Sequence, residues 1–283
     1  MDFSYYPGCS LDSTACEYNA SVQAVFQALD VGLHELEDWN CCGASSAHCV
    51  SHELSLALPT RNLAIAQEVE RDVVMPCAAC FNRHKTADYV LRTDARQRLF
   101  LEQAVGFNFS GKVNVRPLLD VVGNGIGMDR VKSLVSRPLE GLKVVGYYGC
   151  LLVRPPEVTQ FENPDNPTLM NHLLETLGAD PQPWSYATDC CGGGLTLTKS
   201  KVAAKLVNRL AEAAREAGAD AIVTSCPLCQ MNLEMRQNGS QPKMPTFYFT
   251  ELMGLAFGLD KARSWWSKHL INPQPLLSSL SLL

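Results

Sequence analysis

Cys41-Cys42-Gly43 and Cys190-Cys191-Gly192 are the same tripeptide, met twice in one chain of 283 residues. Outward from each doublet the surroundings match as well. Cys42 is followed 35 positions on by Cys77-Ala78-Ala79-Cys80, and Cys191 is followed 35 positions on by Cys226-Pro227-Leu228-Cys229. Upstream, each half holds one more cysteine, in Tyr6-Pro7-Gly8-Cys9 and Tyr147-Tyr148-Gly149-Cys150. Ten of the twelve cysteines therefore fall into two sets of five. The doublet and the C-x-x-C recur at an offset of 149 residues and the lone cysteine at 141. An ordered set repeated at a fixed spacing marks an internal duplication.

The segments between the cysteines say how each half folds. In the first half, short apolar runs at 2–6, 33–38, 73–75 and 113–115 read as strands. Helical spacing is evident from Thr14 to Leu29, over 51–71 with a break expected near Pro59, and from Ala78 toward Val105. The second half repeats this order: strands at 143–147, 184–186, 221–224 and 246–249, and helices over 168–177, 199–217 and 251–257. Alternating strands and helices imply an α/β fold of two pseudo-symmetric domains, each a small parallel sheet flanked by helices. The Gly- and Pro-containing stretch 123–142 places the boundary, giving domains 1–140 and 141–283. Its Gly123-x-Gly125-x-Gly127 lacks the spacing and the following acidic residue of a dinucleotide loop and reads as glycines in a turn. In parallel sheets the strand-to-helix loops at the carboxyl ends carry the ligands. Each lone cysteine, doublet and C-x-x-C follows an expected strand, so all five can converge there.

Composition narrows the partners. A formal charge of -5 gives no basic footprint for nucleic acid. No stretch reaches the ~20 apolar residues that span a bilayer, and residues 1–6 have no signal-peptide pattern. The expected location is the cytoplasm, where thiols stay reduced and cysteine patterns point to metal binding or catalysis rather than disulfides. The apolar tail Pro273 to Leu283, PQPLLSSLSLL, has no charge. It is expected to pack either on its own second domain or on a partner.

Two thiols three apart at the start of a helix face one side, and the helix N-terminus favours an anionic thiolate centre. Zinc needs four ligands in a tetrahedron, which leaves one cysteine of each five unused. Adjacent cysteines point apart and suit two metal atoms better than one. Five thiols per half thus favour an iron–sulfur cluster, with zinc as the alternative.

The pattern of lone Cys, Cys-Cys-Gly and C-x-x-C, present twice, resembles the B subunit of heterodisulfide reductase (HdrB), with its tandem cysteine-rich CCG domains. The gaps here are 31 and 34 residues in the first half, and 39 and 34 in the second. The flanking Pro76-Cys77-Ala78-Ala79-Cys80-Phe81-Asn82, Cys226-Pro227-Leu228-Cys229-Gln230-Met231-Asn232 and Lys268-His269-Leu270 agree with that family. The resemblance implies two noncubane [4Fe-4S] clusters. One would be held by Cys9, Cys41, Cys42, Cys77 and Cys80, the other by Cys150, Cys190, Cys191, Cys226 and Cys229. It further implies an oxidoreductase acting on sulfur, in which two facing clusters split a disulfide substrate by one electron each. The implied partners are a ferredoxin-like iron–sulfur subunit (HdrC-like) together with a flavin subunit (HdrA-like), since the chain has no cubane-cluster run and no flavin or nucleotide motif of its own. The same motif occurs in subunits that pass electrons to a quinone or partner enzyme, as in lactate and glycolate oxidation systems, and this is the alternative function. A zinc-stapled scaffold is a third reading.

Outside the two sets, Cys16 and Cys49 have no counterpart in the second half and read as small buried apolar residues. His48, His52 and His84 lie near the first set, where a structural or solvent-facing role is the simpler expectation. Arg154 and Arg83-His84-Lys85 could meet an anionic substrate, with ordinary surface charge as the default.

Overall fold

Val73-Val74-Met75 and Ala221-Ile222-Val223-Thr224 have no polar face, as expected for strands covered on both sides, and both become interior strands of parallel sheets. The computed structural model describes residues 1–44, 46–238 and 242–283. The first sheet contains β1 (Asp2–Tyr5), β2 (Gly32–Glu35), β3 (Val73–Met75) and β4 (Val115–Pro117), ordered β2-β1-β3-β4. The second contains β5 (Lys143–Tyr147), β6 (Asp180–Pro181), β7 (Ala221–Thr224) and β8 (Thr246–Tyr248), ordered β6-β5-β7-β8. Every pairing is parallel. The expected pair of helix-flanked parallel sheets is thus present, with the same topology twice. In each sheet the order reverses between the first and third strands, and such a switch point opens a crevice at the carboxyl ends.

The two halves share one continuous buried cluster. The helix Cys16–Leu29 of the first half packs against Phe249–Ala256 of the second. Buried Ser21 Oγ and Thr250 Oγ1 hydrogen-bond at 2.6 Å across that contact. The Ala78–Thr93 helix meets the turn Pro156–Thr159, and the turn Gly8–Asp12 meets the helix Pro227–Met235. Each half therefore lays its lone-cysteine segment near the C-x-x-C helix of the other.

Several local expectations shift. The helix His52–Glu68 runs through Pro59 without a break. Proline removes the bond to the Ser55 carbonyl, but burial of Leu56, Leu63 and Ala66 along the helix holds it together. The stretch 78–105 divides instead at Asp94, whose carboxylate accepts the Arg96 and Gln97 N–H groups and caps a second helix, Ala95–Val105. Gly123, Gly125 and Gly127 lie in a π-helical segment, Val121–Gly127, rather than in a turn. The edge strand expected at Trp184–Tyr186 forms earlier, at Asp180–Pro181. There the Trp184 indole N–H donates to the Gly146 carbonyl at 2.9 Å, so a side chain takes the place of a backbone ladder.

The apolar tail folds back. Gln274–Ser279 is a short helix with Leu277 fully buried, and Leu276, Leu280, Leu282 and Leu283 pack on the same core. Just before it, His269 is sealed between two carboxylates, 3.1 Å from Glu234 Oε1 and 3.0 Å from Glu251 Oε1. Glu234 Oε2 also accepts the Leu270 and Ile271 N–H groups at 2.7 and 3.2 Å. Burial by itself would keep this imidazole neutral, but the charge of Glu251 and the hydrogen bonds of both carboxylates push its pKa up to about 10. The C-terminal segment is thereby fastened to the helices Pro227–Met235 and Phe249–Ala256 by a buried cation.

Both contacts can be weighed by substitution. Leu277→Ala should lower the unfolding free energy by about 2–5 kcal/mol in anaerobic urea titrations; a tail that contributes little would leave it unchanged. His269→Gln should cost ~3–5 kcal/mol at pH 6, because it strands two buried carboxylates. The folded pKa lies above the ordinary value, so this stabilisation is complete below about 6.5 and lost as pH rises through about 10. The deficit of the variant should accordingly shrink between pH 6 and pH 10.

Candidate metal centres

β1 leads into Tyr6-Pro7-Gly8 and β5 into Tyr148-Gly149, the turns that precede the lone cysteines. Gly8 and Gly149 take positive φ values of +72° and +67°, and a Cβ there would lie 3.0 Å from Cys80 Sγ and 3.2 Å from Cys229 Sγ. Only glycine lets the backbone come this close to the inner thiol. Two residues before each of these glycines a tyrosine reaches toward the doublet. Tyr6 donates its hydroxyl to the Asn40 carbonyl at 2.9 Å, and Tyr147 donates to the Asp189 carbonyl at 2.7 Å. Each tyrosine thus holds the peptide directly before a doublet. That role was not foreseen from the sequence, although the shared tyrosine of Tyr-x-Gly-Cys was its visible sign.

The five thiols of each half come together in the same scheme. Cys9 and Cys41 form an outer pair at 3.8 Å, and Cys42 and Cys80 an inner pair at 3.4 Å. In the second half Cys191 lies 3.5 Å from Cys229 as the inner pair, and Cys150 and Cys190 are the outer neighbours whose ionisation is linked. The neighbours in the first doublet take different partners, and in each doublet the first cysteine is exposed and the second buried. Cys9, Cys41 and Cys190 are exposed, whereas Cys42, Cys77, Cys80, Cys191 and Cys226 are buried. Each set therefore has a sealed floor and an open mouth. Among the described residues, no three His, Cys, Asp or Glu side chains gather round the point a single ion would occupy. Paired thiols spread over a floor and a rim suit a group of several metal atoms better than one zinc tetrahedron.

The electrostatics repeat in part. Hydrogen bonding with Cys42 and Cys9, aided by the Gly43 N–H at 3.5 Å, holds the Cys41 thiol down to about 2. Hydrogen bonding with Cys150, aided by the Gly192 N–H at 3.3 Å, holds Cys190 down to about 6 against its burial. The lone cysteines, Cys9 and Cys150, are pushed well up by the same bonds and by burial. In the first half the first doublet cysteine is thus the readiest thiolate, whereas in the second half Cys190 shares that role with Cys191 and Cys226, which hydrogen bonding also lowers.

Cys77 and Cys226 sit at the starts of the helices Ala78–Thr93 and Pro227–Met235. Their thiols interact with each other across the interface. Hydrogen bonding with Cys229 and then with Cys77 drives Cys226 well down, while Cys226 drives Cys77 well up. The two thiol sets therefore meet back to back between the halves. Asn82, two residues beyond Cys80, strengthens this junction by donating to the Leu151 and Arg154 carbonyls at 3.0 and 2.8 Å.

Of the three histidines, only His84 joins the first site, and it does so from behind. Its Nδ1–H donates to the Cys80 carbonyl at 2.8 Å and its Nε2 accepts from Asn62 at 3.0 Å. Asn62 in turn exchanges 2.9 Å hydrogen bonds with the backbone of Asn40, beside the doublet. Burial holds the His84 pKa down to about 4, so the ring is a neutral strut. His48 and His52 are exposed. The second half uses Asn232, whose side chain donates to the Cys191 carbonyl at 2.6 Å. Arg154 is occupied by Thr188, the Pro164 carbonyl and Asp165, and Lys85 lies 3.8 Å from Asp88, so neither is a free anion receptor. Cys16 and Cys49 are both exposed, contrary to the buried role expected of them. Cys16 opens the helix Cys16–Leu29 and Cys49 lies in the short helix Ala47–Val50, both on the surface.

Comparison with known proteins agrees with this duplicated architecture. Residues 3–83 and 144–234 each match the family described as cysteine-rich domain (CCG). Over 265 residues the chain is 33% identical to the 8-methylmenaquinol:fumarate reductase membrane anchor subunit of Wolinella succinogenes, covering 91% of this chain and 93% of that one. It is 26% identical over 274 residues to a protein of Archaeoglobus profundus described as like the B subunit of heterodisulfide reductase, covering 92% of each. It is 24% identical over 269 residues to the B subunit of the ferredoxin:CoB-CoM heterodisulfide reductase of Methanosarcina mazei, covering 91% of this chain and 89% of that one. Among solved structures, a hypothetical protein from Helicobacter pylori shares the fold, with a TM-score of 0.72 at 10% identity over 96% of this chain and 52% of that one. The chain thus spans about half of that structure. Among the described residues, no helix is long and apolar enough to cross a membrane. With both halves matched and all ten cysteines in place, the chain belongs to the cysteine-rich (CCG) domain family, as a tandem member akin to the B subunit of heterodisulfide reductase.

Proposed function

We propose that this chain is the redox subunit of a heterodisulfide-reductase-type complex in the cytoplasm, with domains 1–140 and 141–283 each holding one noncubane [4Fe-4S] cluster. Cys9, Cys41, Cys42, Cys77 and Cys80 hold the first, and Cys150, Cys190, Cys191, Cys226 and Cys229 the second. The residues suit such a group: the glycine before each lone cysteine leaves no Cβ over the inner thiol, and the thiols spread over floor and rim. When bound, each cluster supplies one-electron transfer in a thiolate setting.

The observation that supports this reading best is the approach of the two C-x-x-C loops, whose Pro76 and Ser225 carbonyls, directly before Cys77 and Cys226, lie 3.3 and 3.1 Å from the one hydroxyl of Tyr18. Cleaving a disulfide requires two electrons and two protons and yields two thiols. Two one-electron sites side by side match that demand. The chain's own residues provide the setting: buried Cys42, Cys80, Cys191 and Cys226 keep water from the floor, and exposed Cys9, Cys41 and Cys190 leave the mouths open to a sulfur substrate. Electrons arrive from a ferredoxin-like iron–sulfur subunit (HdrC-like) together with a flavin subunit (HdrA-like). A second reading has a specific support in the 33% identity to a menaquinol:fumarate reductase subunit. In it the same two sites pass electrons between a quinone and a partner enzyme.

Anaerobically prepared protein should carry about eight irons per chain. Serine at Cys41 or Cys42 should remove iron from the first site alone, and serine at Cys190 or Cys191 from the second alone. Stoichiometric zinc with little iron would overturn the assignment. The complex purified with its partners separates the two functions. Disulfide-dependent oxidation of the donor, releasing two thiols per disulfide, supports the first, and quinone-linked turnover without thiol release supports the second. The isolated chain should turn over only with artificial electron donors.

A further inference from the structure

Tyr18 is fully buried at the boundary between the halves, yet its hydroxyl has two acceptors. It lies 3.3 Å from the Pro76 carbonyl and 3.1 Å from the Ser225 carbonyl. Those residues directly precede Cys77 and Cys226, the first cysteine of each C-x-x-C. One proton is therefore shared between the two loops that deliver the facing thiols. The ring is fixed as well. It stacks on Tyr248 with centroids 3.9 Å apart and planes 1° from parallel, and Tyr248 reaches Gln230, beside Cys229, at 3.4 Å. One helical turn on, Ser21 and Thr250 join the same two elements.

We infer that Tyr18 is a positioning residue that sets the separation of the two thiol sites through this bifurcated hydrogen bond. The inference rests on the two-cluster reading above. Two carbonyl oxygens turned toward one point repel each other unless a donor lies between them. With the hydroxyl present, they are drawn to a common centre and the loops carrying Cys77 and Cys226 are held together. Without it, the buried carbonyls are left facing each other and the loops move apart. Burial drives the phenol pKa well up, so the donor keeps its proton. Nothing in the duplication required this device, since the residue 141 positions on from Tyr18 is Thr159, in the Pro156–Thr159 turn.

The test compares Tyr18→Phe with the unaltered chain, both prepared anaerobically and fully reduced, by iron analysis and by electron paramagnetic resonance. Tyr18→Phe retains the stacked ring and deletes only the shared donor. Iron should be unchanged, while the magnetic interaction between the sites weakens, read as a narrower splitting. Tyr248→Phe leaves both carbonyls bonded to Tyr18 and should keep the original splitting. A Tyr18→Phe protein with full iron and unaltered splitting overturns the inference. So does one that loses iron, because Tyr18 would then maintain the fold and not the spacing. An unaltered chain without iron in either site overturns the two-cluster reading itself and would be seen before any variant is compared.

Discussion

Five thiols gathered at one end of a sheet, some paired at 3.4–3.8 Å, cannot all ionise unless positive charge or hydrogen-bond donors lie among them, because like charges a few ångströms apart in a buried site repel strongly. The rest of the structure follows from meeting that demand twice. Each half places its lone cysteine and its C-x-x-C on either side of a sheet's switch point, where helix starts and loop N–H groups converge. In each half a glycine N–H is aimed at the sulfur of the first doublet cysteine and helps to lower its thiol. That donor is kept through the duplication, while the remaining charge falls differently, with Cys191 and Cys226 lowered where Cys42 and Cys77 are raised.

Closeness to the inner thiol explains the short motifs around the cysteines. Glycine before each lone cysteine admits Cys80 or Cys229, and the tyrosine two residues earlier secures the doublet loop by its hydroxyl. Behind this layer the halves diverge. The first uses His84 and Asn62 to tie the Cys80 carbonyl to the doublet, whereas the second uses Asn232. Different supports behind matching thiols offer a physical basis for two sites of unequal redox character within one chain.

The interface makes one centre out of two. Lone-cysteine segments cross toward the opposite C-x-x-C helices, Asn82 bonds the loop after Cys150, and Cys77 meets Cys226. A core continuous through both halves makes this junction rigid rather than hinged. The C-terminal segment adds to that rigidity, with Leu277 in the core and His269 locked between Glu234 and Glu251.

The spacing of ten cysteines, with strands and helices alternating between them, was enough to determine the duplication, the paired parallel sheets and the likeness to the B subunit of heterodisulfide reductase. These are properties of local pattern and repetition, which a linear chain displays openly. Local pattern did not reveal that Asp94 would divide one helix while Pro59 spared another, since capping and burial compete and only the packed structure weighs them. Nor did it show Cys16 and Cys49 at the surface, because exposure depends on what lies over a side chain. Tyr18, Asn62 and the pair Glu234 and Glu251 were silent for a stronger reason. The partners described above lie between 18 and 207 residues away in sequence, and the separation of two carbonyls around one hydroxyl exists only once both halves have docked.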